Sequence, residues 1–275
     1  MGLQDLPDSE LLTFATHSGK LAVPRAEAYV FYATFVAGQY DSLSLRPGDR
    51  VLDAGANVGD FSLLAARAVG QEGLVVAVEP NPRTIQTLKR NVEGNGLRNV
   101  RIVSAAIGAK DGRGGVAECG VGSRVDMDSG TSDHQCEVLS MDSLLNEVHL
   151  THFDVIKMDI EGGEIGVFQT PNFLRATREI AIEVHSIAGL VSICSVLNRY
   201  GFEVFYFGMR DILRNTVRNV LRAPASFLSA ELSSRLLASR SFLRYLASGA
   251  APSPSTARRS EIRICYGQKT QFHST

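Results

Sequence analysis

The chain has 275 residues, of which 44% are hydrophobic and 21% charged, enough for one globular domain with additions or for two small ones. Its formal net charge of −1 gives no global reason to expect nucleic acid or a charged surface as partner. Cys119, Cys136, Cys194 and Cys265 are scattered, with no C-x-x-C pair and no histidine cluster beside them, so they read as reduced thiols and exclude a disulfide frame or zinc site.

Along the chain, Asp5, Asp8 and Glu10 stand where a signal peptide would carry a basic region and an apolar core, and no stretch approaches the ~20 apolar residues of a membrane span. A cytoplasmic location is the expectation. Residues 1–50 are read as an N-terminal helical cap. From residue 51 short apolar runs alternate with helical patterns. The runs are VLDA (51–54), LVVAVE (74–79), VRIVSA (100–105), DVIKMD (154–159), IAIEVH (180–185) and FEVFYF (202–207). The helical patterns are FSLLAARAV (61–69), PRTIQTLKRNVEGN (82–95) and GLVSICSVLNRY (189–200). Such alternation predicts an α/β fold with a parallel sheet covered on both faces. IRICY (262–266) follows a long gap and is expected to pair antiparallel at or near an edge, as the seventh strand.

Ligands of such sheets bind where loops leave the carboxyl ends of the strands. In VLDAGANVGDF (51–61), Gly55 and Gly59 permit sharp turns and close approach of a ligand, and a helix begins near Asp60 with N–H groups that favour an anion. The nicotinamide fingerprint G-x-G-x-x-G fails here at Asn57 and again at Asp60, and it has no use for Asp53 at the strand tip. Asp53 instead suits a ligand with a cationic amino-acid end. Glu79, ending the next strand in AVEPNP, suits two ribose hydroxyls. Together the two acids favour S-adenosylmethionine over a dinucleotide.

VLDAGANVGDFSLLAA, AVEPNP, VSAAIG, SMDSLL and IKMDIEGGE, in this order, resemble the FkbM-type S-adenosylmethionine-dependent methyltransferases, over roughly Val51 to Phe207. The D-x-G-A-N-x-G loop and the K-x-D-x-E-G-x-E segment are its specific parts. The resemblance implies a Rossmann-like class I methyltransferase sheet of about seven strands, mostly parallel with the last antiparallel. It also implies O-methylation of a small molecule or glycan. By the family pattern Asp53, Gly55, Asn57 and Gly59 hold the methionine end of the cofactor and Glu79 its ribose. Ala106 and Ile107 bracket the adenine.

The chemistry is expected on DVIKMDIEGGE, where alternation in an extended segment places Lys157, Asp159 and Glu161 on one side. Methyl transfer from an activated sulfonium asks the protein for alignment and, with a hydroxyl acceptor, removal of a proton. Asp159 and Glu161 are candidates for both, and carboxylates of this kind also hold divalent metals. No dedicated metal motif is present. His185, ending the fifth strand in AIEVHS, is a third catalytic candidate because histidine takes up a proton near neutral pH. Asp142 in SMDSLL reads as a helix N-cap. The D-I-E-G after the fourth strand replaces the N/D-P-P-Y/F turn of nucleobase amine methylation, which disfavours nucleic acid as the acceptor.

Two further segments stand apart. Residues 112–135, rich in Gly, Ser and Asp, read as a hairpin or loop beside the site. Residues 208–260 form an arginine-rich helical insertion before the last strand and tail at 261–275. Nine arginines against Asp211 and Glu231 give a local charge of +7 within the total of −1. The insertion suits a lid for an anionic acceptor or a peripheral membrane contact. The competing reading of the whole chain is a non-catalytic membrane- or partner-binding protein that keeps a nucleotide-type core.

Overall fold

The computed structural model describes residues 11–118, 123–126, 134–222 and 263–269. In chain order the elements begin with β1 (Leu11–Thr16), β2 (Gly19–Pro24), a helical turn α1 (Tyr29–Phe31) continued by a π-helical turn Tyr32–Val36, β3 (Arg50–Ala54) and α2 (Asp60–Val69). Next come β4 (Leu74–Val78), α3 (Pro82–Gly94), β5 (Val100–Val103), β6 (Ala106–Ile107), β7 (Gly112–Glu118), β8 (Ser123–Asp126) and β9 (His134–Leu139). The chain continues through α4 (Met141–Val148), β10 (Val155–Met158), α5 (Glu164–Val167), β11 (Glu179–Val184), α6 (Ile187–Arg199), β12 (Phe202–Tyr206), α7 (Met209–Arg222) and β13 (Arg263–Lys269).

Seven strands form the central sheet in the order β12-β13-β11-β10-β3-β4-β5, with β13 antiparallel to both of its neighbours and the rest parallel. The expected Rossmann-like sheet is therefore present. The central strands are rich in Val, Ile, Leu and Ala because both of their faces are covered, and the charged exceptions Asp53 of β3 and Lys157 of β10 pair with each other. From β3 the chain steps outward through β4 and β5, then returns to build β10 and β11 on the other side of β3. The strand order thus reverses between β3 and β10, which opens a crevice at their carboxyl ends.

The helical cap expected before residue 51 is corrected. The described part begins with a hairpin, β1 paired antiparallel to β2, and only then turns helical. The physical reason is period-2 alternation. Phe14, Leu21 and Val23 are buried against Phe31, Phe35, Val58 and Leu63, while Gly19 (φ +135°) makes the turn. The exposed edge of β2 is met by α3. The Asn91 side chain accepts from Ala22 N (2.7 Å) and donates to Ala22 O and Val58 O (both 2.8 Å), and Asn95 repeats the exchange at Lys20 (2.8 and 2.7 Å).

A smaller sheet, β6-β9-β7-β8, stands beside the main one and includes the hairpin expected within 112–135; residues 119–122 and 127–133 lie outside the described part. The N-cap of α4 is Ser140, which accepts from Ser143 N (3.2 Å), and not Asp142, which sits one residue into the helix. Ser140 is the residue with extended backbone before the first helical turn, the geometry a cap requires. Helix α7 confirms helical structure for the start of the arginine-rich segment; residues 223–260 lie outside the described part. It docks on the end of the π-helical turn, with Asn219 donating to Val36 O (3.3 Å), Asn215 to Gly38 O (3.1 Å), and Arg218 paired with Asp41. No described helix is long and apolar enough to cross a membrane.

Candidate active site

The crevice at the β3/β10 reversal is a cleft of about 930 Å³. Gly55, Asn57 and Val58 after β3, and Val78 to Asn81 after β4, form one side; Ala105 to Lys110 with Val125 and Val138 of the small sheet form a second. Asp159 to Gly163 close the third side, and Pro24, Arg25, Glu27 and Tyr29 from the hairpin's exit close the fourth. No described residue of α7 lines the cleft, and residues 223–260, the rest of the segment expected as a lid, lie outside the described part.

The floor corrects the reading of the glycine loop. A Cβ on Gly55 (φ +73°) would lie 1.7 Å from the backbone oxygen of Asp159, and one on Gly59 (φ +84°) would lie 2.4 Å from Leu88 Cδ1. These glycines admit a strand end and a helix, and Gly59 does not reach the cleft. Asp53 is also beneath the floor, fully buried. It pairs through Oδ1 with Lys157 Nζ (3.1 Å) and accepts from Ser62 Oγ at Oδ2 (2.6 Å), so it is not placed to touch a ligand. Lys157 faces Asp53 across the β10–β3 register and also donates to Gly55 O (2.5 Å). Burial would lower its pKa, but Asp53, Asp159 and Asp60 outweigh burial and hold it protonated. The start of α2 is likewise not left open to an anion. Asp60 sits there, nearly buried and bonded to Thr34 Oγ1.

Glu79, expected to meet a ribose, lines the cleft with both carboxylate oxygens held. Oε2 accepts from Asn57 N and Oε1 from Asn81 N, both at 2.9 Å, and the carboxyl lines the cleft. Each oxygen therefore keeps a lone pair for an incoming hydroxyl. Asn57 reaches Glu79 with a left-handed backbone (φ +47°), a conformation in which asparagine is among the better tolerated residues. Burial pushes the Glu79 carboxyl up to about 7 despite these two donors. Ala106 and Ile107 line the neighbouring wall on β6.

At the far end Asp159 and Glu161 line the cleft, and one oxygen of each lies within 4.8 Å of the other and of a ring nitrogen of His185. Their common placement does not come from strand alternation. β10 ends at Met158, Lys157 turns down into the floor, and Glu161 takes a left-handed φ of +53°. Asp159 Oδ1 is closed off from solvent without a hydrogen-bond partner, and burial pushes its pKa up to about 6. His185 is bridged by Glu161 Oε2 at Nε2 (3.2 Å) and by Glu164 Oε1 at Nδ1 (3.1 Å). Burial would lower the ring's pKa, but the two carboxylates push it up to about 11. Both ring nitrogens are thus engaged by carboxylates, an arrangement that favours the protonated ring.

A sequence model of the Methyltransferase FkbM domain matches residues 53–204. The chain belongs to the FkbM methyltransferase family. Among proteins of known name, the FkbM chain is 40% identical over 68 residues to protein-L-isoaspartate O-methyltransferase 1 of Archaeoglobus fulgidus, a match covering 25% of this chain and 32% of that one. It is 28% identical over 230 residues to the AMB antimetabolite synthetase AmbE of Pseudomonas aeruginosa, across 64% of this chain and 10% of that protein. The matches thus span about a third or less of these relatives' own lengths. The solved FkbM methyltransferase of Methylobacillus flagellatus is similar at 21% identity and a TM-score of 0.46, covering 64% of this chain and 44% of that one.

Several residues of the FkbM site were not singled out by sequence. Arg25, Glu27 and Tyr29 enter through the hairpin's exit, which no spacing rule connects to the sheet. Glu164 carried only the weak signal of a second acid after E-G-G. It proves almost fully buried, accepting from Ile160 N (3.3 Å), Gly162 N (3.1 Å) and His185. Glu183, also behind Asp159, accepts from Gln39 Nε2 (3.1 Å), and burial pushes it up to about 8. An acid inside the buried run IAIEVH is the signal that would have found it.

Proposed function

We propose that this chain transfers a methyl group from S-adenosylmethionine to an oxygen of a small-molecule or glycan acceptor. The observation that carries the reading is a single cleft with a two-oxygen carboxylate acceptor, Glu79, on one side and the Asp159–Glu161 carboxylates on another. The residues present fit the cofactor. Glu79 keeps acceptor capacity for two hydroxyls, and Ala106 and Ile107 offer an apolar wall to a flat base. When bound, the cofactor supplies an activated methyl group on a positively charged sulfur.

The chain's own residues then have distinct tasks. The backbone donors of Asn57 and Asn81 fix the Glu79 carboxylate, so that it receives the ribose without reorganising. Lys157 cancels the charge of Asp53 under the floor and ties both strand ends together through Gly55 O. Asp159, at the cleft end of β10, orients the acceptor hydroxyl and takes its proton. Glu164 and Glu161 hold the His185 ring in place beside that carboxylate, one at each ring nitrogen.

The test is transfer of a labelled methyl group from S-adenosylmethionine to a panel of hydroxyl acceptors, read by mass spectrometry. Asp159→Asn should lower turnover by at least 100-fold while moving cofactor affinity little, the pattern of an interaction made in the transition state. Product labelled only at nitrogen or carbon would overturn the oxygen assignment. Failure to bind the cofactor would overturn the activity altogether.

A second property is supported by α7, where Leu213, Val217 and Leu221 are exposed (61%, 62% and 76%) at spacings of four beside the exposed Arg210 and Arg214. Such a face suits peripheral contact with an anionic membrane. Replacing the three apolar residues by serine should abolish sedimentation with anionic liposomes and leave cofactor affinity alone. Equal sedimentation of both proteins would refute it.

A further inference from the structure

Three side chains at the acceptor end of the cleft come from separate turns of chain yet converge. Asp159 follows β10, Glu161 lies in the left-handed turn after it, and His185 follows β11. One ligand atom from each lies within 4.8 Å of the others. Two ligands on one first-row metal ion stand ~3–4 Å apart, given metal–ligand bonds of about 2.0–2.2 Å, so an adjustment of about 1 Å gathers all three.

Proximity of acids alone would not make a site, but two other observations distinguish this one. Oδ1 of Asp159 is shut away from solvent at the edge of a large cleft and has no hydrogen-bond partner. A buried carboxylate oxygen without a donor is uncommon in native proteins and marks the place of an absent one. The histidine is also presented as a ligand would be. Glu164, nearly buried and fixed by two backbone N–H groups, accepts a hydrogen bond from Nδ1–H and leaves Nε2 turned toward Glu161. A carboxylate behind the distal ring nitrogen is the usual outer shell of a metal-bound histidine.

We propose that Asp159, Glu161 and His185 bind one divalent first-row cation of the manganese or zinc type. Two hard carboxylates and one borderline imidazole favour these ions over calcium, with its demand for six to eight oxygens. The ion takes the position of the Nε2 proton between His185 and Glu161 and gives Asp159 its missing partner. Three protein ligands would leave coordination positions open toward the cleft, where an acceptor oxygen could complete the shell. This last step rests on the methyltransferase reading; the binding of the ion does not.

The full chain, stripped of metal with a chelator and dialysed, is titrated with Mn²⁺ while the free ion is followed by electron paramagnetic resonance. One equivalent should bind saturably. Glu161→Gln should weaken it at least tenfold. Glu161 is partly exposed, so this variant keeps the fold, as circular dichroism would verify. His185→Asn should do the same, and Glu164→Gln should weaken binding by about 10–100-fold without touching the ion. No saturable binding up to millimolar Mn²⁺, or wild-type binding in both Glu161→Gln and His185→Asn, overturns the proposal. Calorimetry with S-adenosylmethionine on the stripped protein separates the two readings. Cofactor binding without Mn²⁺ binding sinks the metal site alone, and Mn²⁺ binding without cofactor binding sinks the methyltransferase reading alone.

Discussion

Glu79 holds a carboxyl whose proton affinity is raised by burial from its usual 4.5 to about 7, although two backbone donors stabilise its charge. Because the folded pKa lies above the unfolded one, the fold binds this proton more tightly. The group's contribution to stability is complete below about pH 4.5 and is lost as pH rises through 7, a change of order 3 kcal/mol at most. Cofactor binding has the opposite demand, since two ribose hydroxyls need the ionised form. Calorimetry at pH 6.5 in buffers of different ionisation enthalpy should therefore show proton release on binding, and affinity should fall as pH drops below 7. Glu79→Ala should weaken binding by about 1.5–3 kcal/mol and remove that pH dependence. Asp53 should behave differently. Asp53→Asn strands the buried Lys157 ammonium, so denaturant melts should show a loss of about 3–5 kcal/mol. A variant as stable as wild type but defective in cofactor binding would restore Asp53 to the ligand site.

At the scale of elements, the hairpin is joined to α3 through Asn91, whose amide serves Ala22 N, Ala22 O and Val58 O. Asn91→Ala leaves these buried groups unpaired, and should lower stability by about 2–4 kcal/mol. It should also weaken cofactor binding, because the next residues, Pro24 to Tyr29, wall the cleft. Unchanged stability would mean that water replaces the amide. The same region shows where the sequence could be read and where it could not. Strands β3, β4, β10 and β11 were legible because a strand covered on both faces has no choice but a continuous apolar run. LLTFAT and KLAVP are short segments without a strong periodic signal, and only their pairing through Gly19 makes them a hairpin. Glu79 was legible because the tip of the second strand fixes its position by backbone alone. Asp53 was not, because its orientation depends on Lys157, a partner supplied by register from a strand one hundred residues onward. The bridging of His185 was equally invisible, since it needs Glu161 and Glu164 brought to opposite ring nitrogens.

For the molecule as a whole, β13 is the strand that unites the sheet, since β12 has no other neighbour in it. Gly267 on β13 is packed so that a Cβ would meet Phe202 Cδ1 at 2.9 Å and Ile180 Cγ2 at 3.1 Å. Gly267→Ala should cost about 1–3 kcal/mol in equilibrium unfolding, as overpacking does. A neutral result would show that β12 yields easily. The antiparallel last strand was foreseen from sequence, but not that it would lie inside β12. That position shapes how the protein is made. On the ribosome, β11 and β12 emerge with an empty slot between them, and the segment from Tyr206 to Arg263 takes seconds to be made at about 5–20 residues per second. During that interval the nascent chain presents two unsatisfied strand edges to any other polypeptide nearby. Newly synthesised copies are thus most vulnerable to mispairing, and most in need of a chaperone, after the catalytic half is complete and before the sheet is sealed.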